Sequence, residues 1–164
     1  MNVYTLSAVQ QLSVSKEKAW DFLSNPENLT TITPPDMEIK ITDGYDQKLM
    51  YAGQIICYKI KVLPLIQIRW VTEITHVNHN LYFVDEQRFG PYTFWHHKHF
   101  LEEVPGGVKM TDIVHYAIPL GWIGGLLNHL FIRNRLQKIF NYRKAVLARL
   151  FGEIDNPSAK VPAI

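Results

Sequence analysis

Hydrophobic and polar positions alternate along most of this chain, and toward the C-terminus the spacing changes to three and four. Val3 to Ser13 mixes β-branched and polar residues without a helical stripe and predicts a strand. Ser15 offers an N-cap for a short helix over Lys16–Leu23. Asn25-Pro26-Glu27 starts a second helical segment ending near Ile32, with Pro26 at its first position and Thr33-Pro34-Pro35-Asp36 as its stop. Extended runs follow over Met37–Asp43, Met50–Val62, Gln67–Asn78, Leu81–Arg88, Phe94–Val104 and Val108–Ala117. Turn residues separate them: Asp43-Gly44, Leu63-Pro64, Asn78-His79-Asn80, Gly90-Pro91 and Pro105-Gly106-Gly107. Breaks this short between long strands pair neighbours antiparallel, as a meander, and the six strands with the first make a seven-stranded sheet. From Ile132 onward, Leu136, Ile139, Phe140, Val146, Leu147 and Leu150 form one apolar face of a long helix, which Gly152 ends.

The fold class is therefore α+β: a curved antiparallel sheet, two short helices after strand 1, and one long C-terminal helix. A sheet with one apolar face must cover it, and the last helix alone is long enough. A long sheet twists, so it curls around that helix and tends to leave a central gap where a ligand would sit. Residues 1–152 form one domain. Residues 153–164, with two prolines, are expected to be a flexible tail.

Composition narrows the function. A chain of 164 residues that is 47% hydrophobic suits one globular domain with one core. A net charge of +2 argues against nucleic acid as a partner. Cys57 stands alone, which excludes an internal disulfide framework and fits a reducing compartment. The N-terminus lacks the basic and apolar regions of a signal peptide. Ala117–Ile132, the most apolar stretch, is shorter than the roughly 20 residues that span a bilayer. A cytoplasmic address follows as the expectation; oligomeric state stays open.

The segment Gly90-Pro91-Tyr92-Thr93-Phe94-Trp95-His96-His97-Lys98-His99-Phe100-Leu101 carries the most chemistry. Alternation puts Trp95, His97, His99 and Leu101 on one face of its strand. Val108, Met110, Asp112, Val114 and Tyr116 share a face of the next. A two-residue turn at Pro105-Gly106 pairs Val104 with Gly107 and fixes the register. His99 then faces Asp112, His97 faces Val114, Trp95 faces Tyr116 and Leu101 faces Met110. One inward surface thus holds two histidines, a carboxylate and two aromatic rings. With Phe140 from the helix, the expected ligand cavity comprises Trp95, His97, His99, Met110, Asp112, Val114, Tyr116 and Phe140.

Phe83-Val84-Asp85-Glu86-Gln87, then Gly90-Pro91-Tyr92, Trp95, His97, His99, Thr111-Asp112, Tyr116 and Pro119, resemble a bacterial branch of the START-related (SRPBCC) superfamily. That superfamily includes birch-pollen-allergen-like proteins and polyketide cyclases. The resemblance covers nearly the whole chain, although Leu101 stands where relatives commonly show an aromatic. It implies a helix-grip fold with a hydrophobic cavity, and it implies no single reaction.

Four readings of the polar residues remain. His97-x-His99 with Asp112 has the composition of a two-histidine, one-carboxylate metal site. The same groups tie strands together as a buried hydrogen-bonded network, and that reading is preferred, with no metal or cofactor expected. His99 and Asp112 are the candidate catalytic pair of a cyclase- or hydratase-type enzyme, but no nucleophile elbow or phosphate loop accompanies them, so binding ranks above catalysis. Arg133, Arg135, Lys138, Arg143, Lys144 and Arg149, without an acidic residue between Gly121 and Gly152, make a basic helix face. Such a face is ordinarily solvated, and a lipid carrier would use it for transient membrane docking. Leu63, Leu65, Ile66, Trp122 and Ile123 are candidates for an apolar cavity mouth. The expected function is binding of a hydrophobic or amphipathic small molecule.

Overall fold

The structure, a computed structural model, describes residues 2–45, 49–63 and 66–154. The strands are β1 (Tyr4–Leu12), β2 (Lys40–Asp43), β3 (Gln54–Leu63), β4 (Ile66–Asn78), β5 (Tyr82–Phe89), β6 (Phe94–Val104) and β7 (Gly107–Ala117). They form one antiparallel sheet in the order β1-β7-β6-β5-β4-β3-β2. The meander is thus completed by β1, which returns to lie beside β7. The helices are α1 (Lys16–Leu23), α2 (Gly121–Leu127) and α3 (Arg133–Phe151), with one π-helical turn over Asn128–Ile132 joining the last two.

Local chemistry explains the boundaries. The Ser15 hydroxyl accepts the Lys18 N–H at 3.3 Å, and Leu23 ends α1. After it the chain makes two 3-10 turns, Pro26–Leu29 and Pro35–Met37, instead of one segment reaching Ile32. Met37 is buried in the second turn and Glu38 is left-handed (φ 42°), so β2 begins at Lys40, later than the alternation predicts. The Pro105-Gly106 turn carries Gly106 at φ 85°, and Val104 pairs with Gly107 as expected. Gly107 also permits a close approach, because a Cβ there would stand 2.0 Å from the Leu12 carbonyl oxygen on β1. Pro64 and Leu65, from the expected break and cavity mouth, lie outside the described residues.

The C-terminal helical segment starts at Gly121, earlier than the apolar spacing signals. Gly124 packs where a Cβ would lie 2.1 Å from the Pro119 carbonyl oxygen. Buried Asn128 accepts the Tyr116 hydroxyl at 2.9 Å, fastening the π turn to β7. Along α3, Leu136, Phe140, Val146 and Leu147 are buried and Ile139 is half-buried, whereas Leu150 is 48% exposed, the last turn being packed through Phe151 instead. Trp122, at 81% exposure, Ile123 and Ile66 are on the surface. Among the described residues no helix is long and apolar enough to cross a membrane.

Two apolar clusters meet the C-terminal helix. Leu12, Trp20, Phe83, Leu101, Val108, Met110 and Leu147 join α1 and the end of α3 to the sheet. Leu6, Val114, Tyr116, Leu136 and Phe140 join its start to β1 and β7. At its C-terminus, Gly152 (φ 75°) turns the chain back onto the edge strand. Glu153 bridges to Leu12, and the Ile154 N–H donates to the Gln11 carbonyl at 3.0 Å. The first two residues of the expected tail are therefore held to β1; residues 155–164 lie outside the described part.

Candidate functional site

The register of β6 and β7 is the predicted one: His99 opposite Asp112, His97 opposite Val114, Trp95 opposite Tyr116 and Leu101 opposite Met110. Strand β5 adds Asp85 opposite His97 and Phe83 opposite His99. Helix α3 supplies Arg143, which falls on the buried stripe three residues after Phe140. Four elements thus converge on one polar cluster between sheet and helix.

Its geometry is close. Asp85 Oδ2 lies 2.9 Å from His99 Nε2 and 3.4 Å from His97 Nδ1. On the other side of the two rings, Asp112 Oδ1 lies 2.7 Å from His99 Nδ1 and 3.3 Å from His97 Nε2. Arg143 Nη2 stands 3.5 Å from the same Asp112 oxygen. The imidazole centroids are 3.7 Å apart. Phe83 stacks on His99 at 4.1 Å, and Phe140 meets His97 edge-on at 5.7 Å. Both histidines, Asp112 and Arg143 are buried, whereas the Asp85 side chain keeps 17% exposure.

Burial disfavours charge on every member, so the charges persist only by facing one another. Burial raises the Asp112 pKa, but Arg143 and both histidines overcome it and hold the carboxylate well below its ordinary range. Asp85 is lowered too: against burial work His97, His99 and a side-chain hydrogen bond from Trp95. For His99, burial is outweighed by the hydrogen bonds to Asp112 and Asp85, and the pKa rises. For His97, burial and the neighbouring His99 win over the carboxylates, and the pKa falls. The cluster sets two carboxylates against the Arg143 guanidinium and two imidazoles, of which His99 is pushed toward the charged form and His97 toward the neutral one.

The balance of charge does not bring full satisfaction of hydrogen bonds. Asp112 Oδ2, Arg143 Nε and Gln10 Oε1 are buried without a hydrogen-bond partner, and the contact of His97 Nε2 with Asp112 Oδ1 is long, at 3.3 Å. A cavity of about 10 Å³, lined by Ala8, Gln10, Met110, Asp112, Phe140 and Arg143 among others, adjoins these groups. That is room for about one water. Trp95 meets His97 edge-on at 6.1 Å, the half-buried rings of Trp70, Tyr92 and Trp95 lie at centroid distances of 4.9–5.7 Å, and Tyr116 meets Tyr92 at 5.8 Å.

Of the eight residues expected to line a ligand cavity, Met110, Asp112 and Phe140 line the small cavity, His97 and His99 belong to the polar cluster, and Val114 and Tyr116 are packed in the apolar core with Leu136, with Trp95 against it. Two members of the polar cluster, Asp85 and Arg143, are not among the residues that the sequence pattern brings together. Asp85 sits in the quoted Phe83–Gln87 motif, but a register shift between Ile74 and His76 leaves its facing unreadable from β4. Arg143 was counted with the solvated basic residues; its spacing from Phe140 and Leu147 places it on the apolar stripe instead.

No protein-family model and no curated protein sequence matches the chain. Solved structures do. Protein CV1439 from Chromobacterium violaceum superposes with a TM-score of 0.70 at 12% identity, over 92% of this chain and 99% of that one. The protein TTHA0849 from Thermus thermophilus gives 0.67 at 12% identity, over 90% and 99%. The protein Ara h 8.0201 gives 0.60 at 18% identity, over 90% and 99%. The likeness is one of fold, and it agrees with the helix-grip architecture.

Proposed function

We propose that this chain is a START-related protein that binds an amphipathic small molecule between sheet and C-terminal helix. The observation that carries the reading is Asp112, 1% exposed, whose Oδ1 is shared by His97, His99 and Arg143 while its Oδ2 is buried without a hydrogen-bond partner. Such a group costs about 1–3 kcal/mol when left unsatisfied. Its retention beside a small cavity and an aromatic wall is what a polar anchor for a ligand requires. The apolar part of the ligand lies against Trp70, Tyr92 and Trp95, and its hydroxyl or amide group meets Asp112 and Arg143. Since the cavity holds about one water, binding needs the packing of α3 on the sheet to loosen.

Acid–base catalysis fits less well. A carboxylate faces each of its ring nitrogens and its pKa is raised, so His99 is placed to donate on both sides and has no free nitrogen to act as a general base. Tryptophan fluorescence tests the binding reading. Flavonoids and hydroxylated fatty acids are expected to change it saturably at micromolar concentrations, and Trp95→Phe to reduce the change. A folded protein whose emission is unmoved by the whole panel refutes the reading.

A further inference from the structure

The separation of the donor atoms around Asp85 invites a second use. We propose that Asp85 Oδ2, His97 Nδ1 and His99 Nε2 form a site for one divalent transition-metal ion of the zinc type. These three atoms lie within 4.8 Å of one another, one from each residue. The two contacts to Asp85 Oδ2 measure 2.9 and 3.4 Å. Ligands about 2.0–2.1 Å from a tetrahedral zinc stand about 3.3 Å apart, so little rearrangement is needed to seat an ion.

The surroundings match as well. A metal-bound histidine normally presents its other nitrogen to a carboxylate, which fixes ring orientation and tautomer. Here both rings turn their remaining nitrogens to one residue: His99 Nδ1 and His97 Nε2 lie 2.7 and 3.3 Å from Asp112 Oδ1. Arg143 Nη2 lies 3.5 Å from Asp112 Oδ1 and 3.4 Å from His99 Nδ1, and offsets the charge of the carboxylate. Phe83 and Phe140 clamp the ring planes. Asp112, which the sequence pattern offers as the third ligand, is thus the outer support, and Asp85 from the neighbouring strand takes its place. On loading, the ion displaces the proton between His99 Nε2 and Asp85, which passes to solvent. Asp85, with 17% of its side chain exposed, is the least buried member, so the fourth position lies on its side, toward water or a donor atom of a ligand.

The inference stands independently of small-molecule binding, because its test uses metal alone. The full chain is expressed with zinc, dialysed against metal-free buffer and subjected to elemental analysis. About one zinc per chain is expected, with a chelator-reversible rise in melting temperature. Asp85→Asn and His97→Gln are each expected to lower retention at least tenfold while circular dichroism stays unchanged. Should either variant unfold, cobalt(II) titration of the chelator-treated wild type decides. Intense visible absorption saturating at one equivalent supports a tetrahedral site, and the weak bands of hydrated cobalt overturn it. Background metal in folded wild type, or equal loading of the folded variants, also overturns the proposal.

Discussion

A buried charge is stable only in company, and Asp112 shows how much company one carboxylate needs. His97, His99 and Arg143 all turn nitrogens toward it, and its shape is preserved in Asp112→Asn while its charge is lost. We expect Asp112→Asn to lower unfolding free energy by about 1–3 kcal/mol in urea titration. Arg143→Met is expected to be costly alone, because it leaves the carboxylate buried without its guanidinium. Combined, the two changes should cost less than their sum, since each removes the charge that the other would strand. Strict additivity would show that the two groups are not coupled. The pairing of His99 with Asp112 was legible from the two-residue turn at Pro105-Gly106, which leaves no freedom of register. Asp85 was not. Four residues, Gly90 to Thr93, separate β5 from β6, and a loop of that length permits more than one register.

At the scale of elements, α3 ties the site to the sheet. Leu136 and Phe140 are 4% and 7% exposed, and replacing either by Ala should cost roughly 2–5 kcal/mol. Leu150 is 48% exposed, so Leu150→Ala should stay within about 0.5 kcal/mol of wild type. Equal losses at Leu136 and Leu150 in chemical denaturation would mean that the helix is seated differently. Three-and-four spacing predicted the helix and most of its buried face. It failed at Leu150 because spacing shows which residues share a face and does not show where the partner surface ends. It failed before Ile132 because Gly124 and Gly125 weaken the helical signal, while the contacts that hold α2 are tertiary: the close approach to Pro119 and the Tyr116–Asn128 hydrogen bond. A second element-scale test concerns the β1–β7 seam. Gly107→Ala would drive a Cβ to 2.0 Å from the Leu12 oxygen, so the melting temperature should fall clearly. An unchanged melting temperature would place β1 farther from the turn than the strand pairing requires.

For the whole molecule, the sheet and helix enclose little free space, and the polar cluster lies where they meet. The alternating pattern was enough to foresee the architecture, because each strand has one apolar face that must be covered. Cavity size was not legible, since it depends on how Met110, Phe140 and Arg143 fill the centre, which alternation leaves undetermined. Strands place Asp85, His97, His99 and Asp112, and α3 places Phe140 and Arg143; on the proposed reading, a ligand enters as α3 lifts from β1 and β7. Ligand binding should therefore be felt on both sides of that contact at once. Amide-resolved NMR titration with a hydroxylated fatty acid measures this most directly. The account predicts saturable shifts at His97, His99, Asp112 and Val114 together with Phe140 and Arg143 on the facing helix. Shifts confined to the exposed residues of α2, or no shifts at ligand excess, would contradict it.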